Sequence, residues 1–181
     1  MSLNIKYLPN YHYKEIHLLK VVGTAEEIMS AILNYQTEDD FFFRWAIALR
    51  EIPARLFSST DQLISQPPFS FNNFTLLEQT SHEVAFGLVG QFWKKDYGQI
   101  PISDAESFLA FKAPDNAKLV LYFKLDQDHK DFYVTTETRI LCLSSKSLAK
   151  FRPYWYLIRP ISGIIRYRLL RQIQKNVYKS K

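Results

Sequence analysis

The sequence predicts an α+β protein in which an antiparallel sheet packs against one long C-terminal helix, with two short helices after the first strand. Three observations carry this. Over 144–181, Leu148, Phe151, Trp155, Ile158, Ile165 and Leu169 recur at steps of three, four and seven, an apolar stripe of helical period. Between residues 74 and 143 the pattern changes to alternation with a period of two. Ahead of that run, one strand-like segment is followed by two stretches of helical spacing.

In chain order, 14–22 is the first strand, with Ile16, Leu18 and Val22 alternating against Glu15 and His17. Gly23 breaks it. Thr24 followed by Glu27 is a capping box that opens the first short helix, whose apolar face is Ile28, Ala31, Ile32 and Tyr35. A polar link, 36–40, leads to a second helix in which Phe42, Trp45, Ala46 and Leu49 form the inner stripe, stopped at Pro53. The stretch 58–73 is polar and reads as a long loop around Pro67 and Pro68. Segments 74–80 and 83–93 flank a turn at Ser81-His82. Gly87 and Gly90 inside the second of these mark a bulge, a bend or a close approach. A loop at 94–103 precedes 104–111, which fits a helical turn or a short strand. Segments 118–125 and 132–143 form a second hairpin, with Leu119, Leu121, Phe123 and Leu125 on one face. In the final helix Pro160 introduces a kink and does not end the pattern, because the stripe resumes after it.

The composition fits a single folded domain spanning 1–181, with 47% apolar and 15% aromatic residues. No run of about eighteen apolar residues exists, which excludes a spanning helix, and the first residues lack the apolar core of a secretory signal. One cysteine, Cys142, forms no internal disulfide, and a reducing cytoplasmic location is the simplest expectation. Ten of the 23 basic residues and none of the 18 acidic ones fall in 144–181, leaving 13 basic against 18 acidic, or −5, in 1–143. Such asymmetry attracts anionic surfaces, or it is simply the solvated face of a terminal helix. Arg152, Arg159 and Arg166 share that face, with Tyr156 and Gly163 between them.

The blocks EVAFGLVGQFW (83–93), TETR (136–139) and FRPYWYLIRPISG (151–163) resemble those of a bacterial branch of the SRPBCC superfamily, the START and pollen-allergen-like proteins. The resemblance runs over about 13–175. It implies a helix-grip fold: a curved antiparallel sheet gripping the C-terminal helix, with a cavity between them that commonly holds an apolar ligand. It implies no agreed activity, no cofactor and no catalytic residues. Where the family pattern has a third basic residue, this chain has Pro153, which suits a first helical turn and moves the expected helix start toward it.

Within that expectation, Phe42, Trp45, Phe86, Phe92, Trp93, Phe111, Phe123 and Trp155 are the aromatic candidates to line a cavity, each also a candidate for plain core. Glu137 and Arg139, two apart on a strand, share a face and can pair. Alternation favours an outward face for them, because Val134, Thr138 and Ile140 make the more apolar set; the TETR block favours the cavity. Arg159 either reaches the cavity or joins the solvated stripe. The four histidines lack zinc-site spacing, and no nucleotide-binding or hydrolase motif occurs. Three functions stay open: a binding protein for a hydrophobic or lipid-like molecule, a cyclase- or dehydratase-type enzyme using Glu137, and a module docking on anionic membrane through its basic helix. Nucleic-acid binding is not expected, since no reading motif accompanies the basic stripe. The oligomeric state is not specified.

Overall fold

The computed structural model describes residues 1–34, 73–94, 98–129 and 131–179. The second helix expected around Phe42 and Trp45 lies outside these residues, as does the expected loop up to 72. Five strands form one curved, open antiparallel sheet: β1 (Tyr13–Val21), β2 (Thr75–Gln79), β3 (Glu83–Gly90), β4 (Ala117–Asp128) and β5 (Asp131–Cys142), in the spatial order β1-β5-β4-β3-β2. Among the described residues four helices accompany them: α1 (Leu3–Tyr7), α2 (Ala25–Leu33), α3 (Ala105–Ala110) and α4 (Ser145–Lys179).

Local chemistry accounts for the elements. The Thr24 hydroxyl accepts from Glu27 N at 3.2 Å while Glu27 Oε2 accepts from Thr24 N at 2.8 Å, so the expected capping box starts α2. Asp104 caps α3 through Ser107 N at 2.7 Å, which settles that segment as a helix. The β2–β3 turn closes at Ser81-His82 through Thr80 N donating to Glu83 O at 2.8 Å. The β4–β5 hairpin is tighter than expected: Asp128 pairs with Asp131, and His129 takes a φ of 55° to close the loop. The long helix starts at Ser145, where Ser144 and Ser147 exchange backbone-to-hydroxyl bonds of 2.9 and 3.1 Å. It therefore does not wait for Pro153, and it stays helical through Pro160.

Both faces of the sheet are covered. On one, α4 runs over β1 and β5 and meets α2. Leu169, Leu170, Ile173 and Val177 pack there with Val21, Ile28, Ile32, Phe86, Phe123 and Val134. Toward the start of the helix, Phe151 and Trp155 pack with Leu88, Phe92, Ile140 and Cys142. The opposite, outer face carries Leu77, Ala85, Val89, Val120 and Tyr122, roofed by Leu3, Tyr7 and Leu8 from the α1 segment and by Phe108 of α3. Gly87 belongs to this face: a Cβ there would sit 2.8 Å from both Leu77 and Phe108 side chains, so the glycine is the close-approach position its isolation suggested.

The first strand is turned over relative to the sequence expectation. Ile16 and Leu18 are 48% and 58% exposed on the outer face, while Glu15, His17, Leu19 and Val21 point toward α4. Register decides this. Val21 pairs with Phe132 and Leu19 with Val134, both in the helix-side core, and a strand alternates strictly, so Glu15 and His17 must follow them.

Candidate functional site

The aromatic candidates divide among three clusters. Phe86 and Phe123 meet edge to face at 6.4 Å in the core under the C-terminal half of α4. Phe92, Trp93 and Trp155 gather around Phe151 at its N-terminal half, where Tyr13 lies 5.1 Å from Trp155 and 5.2 Å from Phe151. Phe111 packs on the outer face, so it does not line a space between sheet and α4. Phe42 and Trp45 lie outside the described residues. Arg159 is exposed, and the Ile165 and Arg166 side chains are likewise outside what is described.

Glu137 and Arg139 also face outward, opposite Tyr122 and Val120. They are not solvated there, because α1 buries them. Arg139 Nε donates to Glu137 Oε1 at 2.5 Å, and its Nη1 donates to the Asn4 and Leu8 carbonyls at 3.1 and 3.0 Å. Asn4 Nδ2 donates to Glu137 Oε2 at 3.0 Å. Both carboxylate oxygens are thus engaged, and the guanidinium stacks 4.9 Å from the Tyr11 ring. Leu3 N adds a bond to Glu83 at 2.9 Å, and Tyr7 and Lys6 reach Glu78 at 2.6 and 2.5 Å. This is a clamp holding the N-terminal segment, and it engages both oxygens of Glu137, the carboxylate the sequence offered as an acid–base candidate.

The helix side holds a polar group that sequence reasoning passed over. Glu15 Oε1 and His17 Nε2 are 2.8 Å apart, with the Glu15 side chain almost wholly buried. Glu15 pairs across the strands with Thr138 and His17 with Thr136, which places all four side chains on one face as neighbours. Thr136 and Thr138 are 1% and 4% exposed, and neither hydroxyl has a hydrogen-bond partner among the described residues. Directly above lies Gly163. A Cβ at that position would come within 3.3 Å of Glu15 Oε1 and 3.7 Å of His17 Cε1, so the absence of a side chain lets α4 settle onto the pair. Gly163 therefore faces the sheet and not the solvated stripe.

These residues form a belt between the two apolar clusters under α4. A buried hydroxyl without a partner costs about 1–3 kcal/mol, so two side by side in an apolar layer are the exception in a folded chain. Burial pushes the Cys142 thiol up to about 11, so it stays protonated at neutral pH.

No family model matches the chain, and neither a curated protein nor a solved structure matches it. Among the described residues, no helix is long and apolar enough to cross a membrane.

Proposed function

We propose that the chain binds a small, mostly apolar molecule between the sheet and α4, with its one polar group set against Thr136 and Thr138 beside the Glu15–His17 pair. The observation that carries this is the pair of unpartnered hydroxyls between the two apolar clusters under α4. Hydroxyls both donate and accept, and a ligand carrying an alcohol, amide or carbonyl group would satisfy them. The aromatic rings on either side, Phe86 with Phe123 and Phe151 with Trp155, offer the apolar body its surroundings. On this reading the fold is a helix-grip and the chain a member of the SRPBCC superfamily, in keeping with its α+β layout and long terminal helix. Any proton transfer in the same layer falls to the hydrogen-bonded Glu15–His17 pair and not to Glu137.

Native mass spectrometry of the freshly purified protein, followed by denaturation and identification of released molecules, tests the proposal. An amphipathic molecule in near-stoichiometric amount, lost in Thr136→Val/Thr138→Val, is the expected result. A protein that carries nothing and does not take up a hydrophobic fluorescent probe overturns it.

A further inference from the structure

We propose, independently of the ligand reading, that the solvent side of α4 is a docking surface for an anionic lipid bilayer. The segment 144–181 carries ten basic residues and no acidic one, whereas 1–143 is net −5, so positive charge is concentrated on the segment that forms this helix. In the folded chain Arg152, Arg159 and Arg171 are exposed along α4. Three large side chains share that exposure: Tyr156 at 62%, with Leu157 and Tyr167 each nearly half open. The Arg171 guanidinium lies 4.9 Å from the Tyr167 ring, so a cation and an aromatic ring sit side by side on this exposed helix.

Two features favour lipid over nucleic acid as the partner. Tyrosines with interleaved cations match the headgroup layer, where an apolar body and a polar tip are both accommodated. Leu157 has no role against phosphates and bases, but it gains from entering the acyl boundary. With no spanning helix among the described residues, α4 would lie on the surface. Its 35 residues extend over about 52 Å at 1.5 Å per residue, long enough to meet many headgroups.

Co-sedimentation with phosphatidylcholine vesicles, with and without phosphatidylserine, tests this directly. Binding is expected only when phosphatidylserine is present, and it should fall as salt is raised. Each basic side chain at such a surface contributes about fivefold in partitioning, so Arg152→Gln/Arg159→Gln/Arg171→Gln should weaken binding on the order of a hundredfold. All three residues are solvent-exposed, and circular dichroism is the control for a folded variant. Leu157→Ser leaves the charge unchanged and should lose about fivefold, which separates insertion from simple attraction. Equal binding to pure phosphatidylcholine, undiminished binding by the triple variant, or displacement of vesicles by a DNA duplex would each overturn the proposal.

Discussion

Replacing Thr136 and Thr138 together by valine should make the protein more stable and less able to hold its ligand. Valine has nearly the shape of threonine, so the swap removes two hydroxyls and leaves packing largely unchanged. Both side chains are buried and neither hydroxyl meets a partner among the described residues, so each carries its desolvation cost with no bond in return. Relief of about 1–2 kcal/mol per site is expected, or about 2–4 kcal/mol for the pair. For a chain of this size each kcal/mol moves the melting temperature by about 2–4 °C, so the double variant should melt roughly 4–16 °C higher. Urea denaturation at equilibrium, with an unchanged m-value, would report the same gain free of scan-rate effects. The ligand-free protein is the right subject, since a bound molecule stabilises the native state in its own right. A double variant that is destabilised would show that the hydroxyls have protein partners after all. The polar belt would then be a structural network and not a binding surface.

Two further outcomes follow from the outer face. Arg139→Met should cost about 3–5 kcal/mol in urea denaturation, because it strands a buried carboxylate at Glu137, and a compensating Glu137→Gln should recover much of that loss. Burial, reinforced by the neighbouring Glu83 carboxylate, holds the Tyr122 phenol well above its ordinary 10.0. The folded chain then keeps a proton that the unfolded chain releases: the associated stability is present in full below pH 10.0 and is lost as pH rises further, at about 1.4 kcal/mol per pH unit. Tyr122→Phe should remove that component from an alkaline stability profile, and an unchanged slope would show that the phenol is solvated.

What the sequence disclosed depended on how local the deciding interaction was. The Thr24–Glu27 capping box needs only residues three apart, and it forms as read. The alternation of Leu119, Leu121, Phe123 and Leu125 was sufficient because every residue of that set is apolar and its face had one possible home. β1 failed the same test: its more hydrophobic pair, Ile16 and Leu18, faces outward, and only pairing with β5 reveals that Glu15 and His17 are turned toward α4. The α1 segment was missed because five residues give too little periodicity, although Leu3, Tyr7 and Leu8 sit at helical spacing. Glu137 and Arg139 were recognised as a pair, yet their cover comes from Asn4 and Leu8, more than 130 positions away. Because β1 was read with the opposite face inward, Glu15 and His17 were not considered beside Thr136 and Thr138.

That N-terminal cover also constrains how the protein can be made. Everything that α1 grips (Glu78, Glu83, Glu137 and Arg139) lies downstream of it, the last two in the strand that is translated just before the long helix. At about 5–20 residues per second, the first eight residues wait roughly 7–27 s before their final partners exist. During that interval Leu3, Tyr7 and Leu8 have only part of their native surface, on Leu77, Ala85 and Val89, to cover. The α1 segment therefore precedes in the chain every partner it grips, and its bonds to Glu137 and Arg139 form only once β5 exists.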